Sequence, residues 1–453
     1  MSSMLVPDLT QTASCSAFRA GILHFLHDPG LAEQDSRALQ AFSDGLLLVA
    51  DGKVLAVGDY ASLAPQLPAH CALQDLRGYW IMPGFIDTHS HYPQSEMLAS
   101  PAPGLLPWLE RYTFPTERQF ADPRHARRVA DFYLQQLLAS GITTAAVYCT
   151  VHPASVDAFF EAAQARNLRM IAGKVLMDRH APDFLLDAAQ SGVEQSEALL
   201  QKWHGKGRAL YAITPRFAPT SSPAQLQLAG ELAARYPHVW VQTHLAENRD
   251  EIAWVQELFP HCRSYTDVYA RYGLLNQRSI LGHAIWLDAN DRSLLAERQA
   301  ILSHCPSSNL FLGSGLYDVQ ATLQAGVHTT LACDVGGGSA FSMLRTMHDA
   351  YTVARLSGCY LPALQMFYQA TLGAARALKL DHLLGNFTPG KEADFIVLNP
   401  AATPLLHNRH ARCQSIEEIL FMLALLGDER AVVSTWAAGV LRHQQSAPAL
   451  ASL

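Results

Sequence analysis

Two histidines one residue apart, His89 and His91, close the run Gly-Phe-Ile-Asp-Thr-His-Ser-His (84–91) in a chain of 453 residues. Side chains on a strand return to the same face every second residue, so a His-x-His pair presents both imidazoles together. Two imidazoles on one face are a natural start for a zinc site. The chain has 20 histidines, so such a pair alone carries little weight. Three other apolar runs end in residues of the same chemical kind. VWVQTHLAE (239–247) ends in His244 and Glu247, SILGHA (279–284) carries His283, and HTTLACD (328–334) ends in Asp334 before a glycine-rich turn. Three histidines and a carboxylate make a shell for one divalent ion, with a histidine to spare. An ion so held lowers the pKa of a bound water to near 7, which is what hydrolysis at neutral pH needs.

Groups this far apart in sequence meet only if the fold gathers the ends of their strands. The runs 84–87, 143–150, 169–176, 209–217, 239–247, 279–284, 300–306 and 328–334 are apolar and of strand length. Helix-like stretches such as 156–167 and 223–236 lie between them. Near-continuous apolar strands spaced by helices predict a parallel sheet buried on both faces. Eight such units predict an α/β fold of the TIM (β/α)8 type, whose catalytic groups gather at the C-terminal ends of the strands.

The two ends of the chain read differently. Residues 40–82 hold short β-rich runs with a hairpin signal at Asp51-Gly52. The segments 385–400 and 431–443 look like strands split by Gly and Pro turns. They predict a small β-sandwich-like domain built from both termini. The expected parts are 1–82 and 385–453 for that domain and 83–384 for the barrel. ILFMLALL (419–426) is expected to be a buried helix, being too short for a membrane span of about 20 residues.

Composition narrows the partners. Apolar residues are 49% and charged residues 16%, enough for a large core and without the signature of disorder. There are 33 basic and 40 acidic residues and no Lys/Arg-rich run, which argues against nucleic acid. Eight cysteines without a C-x-x-C pair do not make a disulfide framework and are expected to be buried thiols. Residues 17–28 are interrupted by Arg19 and His24 and lack a cleavage-like site, so no secretory signal and no membrane association are expected, and the location is expected to be cytoplasmic.

HSH after PGFID, HLAE on the fifth strand, GHA on the sixth, a strand-eight Asp and the closing GNFTPGKEADFIVL together resemble the amidohydrolase superfamily. WLERYTFPTE (108–117), HYPQ (91–94), TPRFAPT (214–220), HLAEN (244–248), HCPSSN (304–309) and DVGGG (334–338) are similar to motifs of its guanine deaminase family. One departure is Ala332-Cys333 before the aspartate, where that family usually has Gly-Thr. The resemblance covers nearly the whole chain. It implies one Zn2+ per chain on His89, His91, His244 and Asp334, a purine as substrate and a homodimer. It implies catalytic roles for Glu247, Asp334 and His283. It also implies a substrate pocket including His91, Gln94, Trp108, Arg216, Phe217, His244, Glu247 and Asp334.

A carboxylate beside the metal can take a proton from water, and the resemblance implies that this is Asp334, with His283 hydrogen-bonded to the same water. Glu247, with a pKa raised by burial, carries a proton to the ring and on to the leaving amine. A buried Arg216 needs a partner, and a ligand oxygen would serve. Trp108 and Phe114 are more often core than substrate contacts, and Ser307, Ser308 and Asn309 fit a turn with a helix cap. The H-x-E/C-x-x-C deaminase design is excluded because no C-x-x-C is present. A two-metal hydrolase needs a lysine on strand four, and ALYAITPRF has none. Another mononuclear deaminase or chlorohydrolase acting on a purine, pterin or triazine is the enzymatic alternative, and a metal-free scaffold is the non-enzymatic one.

Overall fold

The computed structural model describes residues 15–31, 35–68 and 70–445. The outermost residues of both expected parts of the β-domain, 1–14 and 446–453, lie outside the described residues.

Eight strand positions form the parallel barrel sheet: β5 (Phe85–His91), β6 (Ile142–Tyr148), β7 (Arg169–Gly173) with its short continuation β8 (Val175–Leu176), β9 (Ala209–Pro215), β10 (Trp240–Leu245), β11 (Ser279–His283), β12 (Ile301–His304) and β13 (His328–Leu331). Strand order follows the chain, as successive right-handed βα units require. Every residue of β5, β6, β7, β11 and β12 is buried, which is why these runs show no polar alternation. The ends of the sheet are drawn together by Thr88 Oγ1 against Thr330 Oγ1 at 2.7 Å and by the Asp334 N–H donating to His89 O at 2.9 Å.

Helices cover the outside. Pro123–Ala139 shows why: Asp122 caps it by accepting from Arg124 N, and Pro123 opens its first turn. Its buried residues Ala126, Val129, Ala130, Tyr133, Leu134, Leu137 and Leu138 form one stripe at helical spacing.

The two ends of the chain meet in one mixed sheet. Its order is β16 (Val440–Gln444), β15 (Val432–Ala437), β14 (Phe395–Leu398), β4 (Ala72–Pro83), β1 (Cys15–Phe25), β2 (Leu39–Ala50) and β3 (Lys53–Asp59). Alternation along β1 and β2 sends Phe18 and Leu47 to one apolar cluster and Ala17 and Leu48 to another. Asp51 and Gly52 both have positive φ, the twisted two-residue turn that their sequence predicts.

Several expectations need correcting. Cys15 and Cys71 are not free thiols: they are joined by a disulfide across 56 residues. The parallel register of β1 with β4, Ser16 beside Ala72, brings them together, and no sequence spacing announces it. The other six cysteines are free. The run 169–176 is one strand in sequence but breaks at Lys174. The ILFMLALL run is, as expected, a helix packed on the core, Ile416–Leu426, and only its last residue, Leu426, is exposed, at 41%. Ser307, Ser308 and Asn309 do not cap a helix; they lie within one, Pro306–Phe311. No helix among the described residues is long and apolar enough to cross a membrane.

Candidate active site

The ligand-type residues converge at the C-terminal end of the barrel. β5 carries a register shift between Asp87 and Ser90, and both its imidazoles still reach one point, with ring centroids 5.1 Å apart. Gly282 makes room for this: a Cβ there would sit 2.5 Å from the His89 ring. Ala246, His283, Ala284 and Asp334 all have φ between 47° and 66°, in the left-handed region. Non-glycine residues rarely adopt it, at a cost of about 1–3 kcal/mol each, and such strain collects at functional sites. Here it turns the strand ends inward.

Four atoms face a common centre. His91 Nε2 and His244 Nε2 are 3.2 Å apart, and Asp334 Oδ1 lies 3.5 Å from both His89 Nε2 and His91 Nε2. Ligand atoms arranged tetrahedrally about a small divalent ion at about 2.0–2.2 Å lie about 3.3–3.6 Å from one another. Both nitrogens of His89 are buried without a protein partner. Burial, reinforced by neighbouring histidines, lowers the pKa values of His89 and His91 well below the ordinary value. His244 shifts the same way, through burial and His283. The rings are thus neutral, the form that binds a metal. The Arg216 carbonyl accepts from His244 Nδ1 at 2.7 Å, which leaves Nε2 as the donor of a lone pair. This set fits a divalent metal. Cys305 is also near, but its thiol donates to Ser303 O and burial pushes its pKa well up.

Two further groups stand beside the cluster. His283 Nε2 is 3.5 Å from Glu247 Oε2 and 3.8 Å from Asp334 Oδ2. Asn309 Oδ1 lies 2.9 Å from His283 Nδ1 and accepts a hydrogen bond from it, so Nε2 faces the carboxylates. Burial raises both carboxyl pKa values, against the opposing pull of His283. Burial works against charge on His283, and the Glu247 and Asp334 carboxylates outweigh it and hold its pKa up. Ser314 Oγ donates to Glu247 Oε1 at 2.9 Å.

A cavity opens above these groups. His91, Gln94, Trp108, Arg216, Phe217, His244, Glu247, His283 and Asp334 all line it, and His89 lies beneath, fully buried. Trp108 is therefore a wall residue as well as part of an apolar cluster, whereas Phe114 packs in that cluster without lining this cavity. Both stand on the helical stretch Leu105–Glu117, whose middle, Leu109–Thr113, widens into a π-helical turn. Such turns recur at functional sites. Arg216 does not wait for a ligand oxygen: its Nη1 donates to Glu117 at 2.9 and 2.8 Å.

Sequence reasoning missed four residues. Glu117 ends a segment noticed only as a motif. Asn309 reads in sequence as part of a turn with a helix cap, and it stands within a helix and holds His283. Glu251 accepts from the backbone N–H groups of Glu247 and Asn248 and from Tyr265 Oη, fixing the turn that aims Glu247. The Asn-x-x-Glu capping-box pattern in HLAENRDE was its signal. Asp87 accepts from Cys333 N at 3.1 Å, tying β5 to the loop that carries Asp334. Burial pushes the Asp87 pKa up to about 7.

Residues 80–442 match the model of the amidohydrolase family. The chain is 48% identical over 414 residues to guanine deaminase of Escherichia coli, covering 91% of this chain and 94% of that enzyme. A solved structure of the E. coli guanine deaminase superposes with a TM-score of 0.92 at 46% identity, covering 96% of this chain and all of the other. The C. acetobutylicum guanine deaminase with guanine bound in its active site superposes with a TM-score of 0.83 at 26% identity, over 94% of this chain and all of the other.

Proposed function

Since the chain belongs to the amidohydrolase family, we propose that it is a guanine deaminase, converting guanine and water to xanthine and ammonia. The observation that carries this reading is a single cavity in which a metal-type cluster, a proton-carrying pair and a flat recognition wall meet. His89, His91, His244 and Asp334 would hold one ion. Three imidazoles and a carboxylate without thiolate favour zinc. When bound, the metal supplies hydroxide at neutral pH.

The remaining work falls to the protein. Asp334 takes the proton of the attacking water, and His283, held by Asn309, hydrogen-bonds that water and keeps its direction. Glu247 is buried, and burial raises its pKa, which favours the protonated form a general acid needs. It delivers that proton to the ring nitrogen beside C2, then takes the proton of the hydroxyl added at C2 and passes it to the amine, which leaves as ammonia as the C2 carbonyl forms. Arg216 donates to the C6 oxygen, Gln94 pairs with the ring amide edge, and Trp108 and Phe217 enclose the flat faces. Burial of these groups excludes bulk water, which strengthens each polar contact.

The test is ammonia release from a panel of guanine, adenine, pterins and amino-triazines, with elemental analysis of the same protein. Guanine turnover with one divalent ion per chain is expected. Turnover of a pterin or triazine in preference to guanine supports the alternative substrate class. Full activity with no ion overturns the metal assignment.

A further inference from the structure

Glu117 is a buried carboxylate, 1% exposed, that no step above uses. It closes the helix Phe114–Glu117 and reaches both polar side chains of the recognition wall. Arg216 Nη1 donates to both of its oxygens, and Gln94 Nε2 donates to Oε1 at 3.0 Å. An ion pair of this kind is often only a neutraliser for a buried arginine. Two features carry it further.

The first is orientation. A carboxylate only accepts, so the Gln94 amide must turn its nitrogen toward Glu117 and its oxygen away. Gln94 Oε1 lies over Gly336, where a Cβ would sit 2.0 Å from it. It receives no hydrogen bond from a described residue. The second is what remains on the arginine. Both Nη1 bonds are taken by Glu117, while Nε and Nη2 have no acceptor among the described residues, and Arg216 lines the cavity. The wall therefore offers a fixed donor beside a fixed acceptor.

The geometry points to Glu117 as the positioning residue that sets the hydrogen-bond polarity of this wall, so that it matches a lactam edge. In a lactam a ring carbonyl stands beside a ring N–H: the carbonyl accepts from Arg216 and the N–H donates to Gln94 Oε1. An amidine edge, with an amino group beside a bare ring nitrogen, meets donor with donor and acceptor with acceptor. The inference rests on the guanine deaminase reading and deepens it, since it makes a carboxylate that never touches the base responsible for choosing it.

The test uses two bases without a C2 amine, which bind but do not react at C2. Hypoxanthine has the lactam edge and adenine the amidine edge. Their competitive inhibition constants against guanine are measured for wild type, Glu117→Gln and Glu117→Asp, with metal content and thermal midpoint of each. Wild type should prefer hypoxanthine by about 10²-fold or more, as sites built on substrate hydrogen bonds do. Glu117→Gln replaces the acceptor with an amide that can present a donor, so Gln94 can reverse. Its preference should shrink by about tenfold or more, with metal content unchanged. Glu117→Asp, too short to hold both partners, should shrink it severalfold, and it serves if the first variant does not fold. A merely structural Glu117 would weaken both bases alike and leave the ratio unmoved. An unchanged ratio in a folded variant overturns the proposal. A wild type that turns over guanine yet binds both bases equally also overturns it. A wild type that does not act on guanine fails the functional reading instead.

Discussion

Both ends of the barrel hold carboxylates largely away from water, and they treat them in opposite ways. At the N-terminal end, Glu392 and Asp394, just before β14, meet Arg169 at the start of β7 and Arg208 just before β9. Arg169 Nε donates to Glu392 Oε2 at 3.0 Å and Arg208 Nη2 donates to the same oxygen at 2.6 Å. Arg208 Nη2 also donates to Asp394, whose other oxygen accepts from Ala438 N. Burial works against charge on Glu392, but the arginines outweigh it and hold its carboxyl below the usual range. At the C-terminal end, burial prevails and Glu247 and Asp334 are held above it. The arginine there, Arg216, is occupied by Glu117 and leaves the two carboxylates facing histidines. Charge that is matched clamps the mixed sheet to the barrel. Charge left unmatched is free to bind a metal and move protons.

The contrast can be broken most completely at the metal cluster. His244→Ala removes a proposed ligand whose second nitrogen is already committed to Arg216 O. Metal should fall from one ion per chain to well under half, and guanine turnover should become undetectable. Elemental analysis and ammonia release check this, and a variant with full metal would show that His244 is not a ligand.

Glu247→Gln should keep metal and fold while turnover falls about 10²–10⁴-fold, the usual contribution of a general acid–base group. The amide has nearly the same shape but carries no proton. Retention of more than about a tenth of wild-type activity would transfer the role to His283.

At the opposite end, Glu392→Gln should leave kcat intact and lower stability. The pair is part-buried, Glu392 being 17% exposed, and Asp394 still holds Arg208, so the loss should fall below the about 3–5 kcal/mol of a fully buried pair. Urea unfolding at pH 8 measures it. A loss of activity with unchanged stability would reverse the assignment of the two ends.

The smallest effect is the sharpest comparison. The Glu392 carboxyl, lowered in the fold, adds stability above its unfolded pKa, and this is lost as pH falls through the folded value. The Glu247 carboxyl, raised in the fold, subtracts stability above its unfolded value near 4.3, and the penalty is relieved as pH falls. In metal-stripped protein, Glu247→Gln should therefore be more stable than wild type at pH 8. This gain is largest above the folded pKa, where the wild-type carboxyl is charged. It should vanish near pH 4, whereas the Glu392→Gln loss is largest at pH 8. A variant no more stable than wild type at pH 8 would mean that Glu247 is not strained by its surroundings.

Much of this was legible in the sequence, because residue type and local period carry it. His-x-His on a strand, polar residues at the ends of apolar runs and the Asp51-Gly52 turn each depend on neighbours within a few positions. They determined the barrel, the two-ended sheet and the residues that converge on the cavity. The tertiary structure alone decided who holds those residues. Glu117 meets Arg216 across 99 positions, Asn309 meets His283 across 26, and Cys15 reaches Cys71 through strand register. An isolated buried arginine looks the same in sequence whether its partner is a substrate oxygen or a distant carboxylate. Desolvation demands only that some acceptor be present, and packing chooses which one.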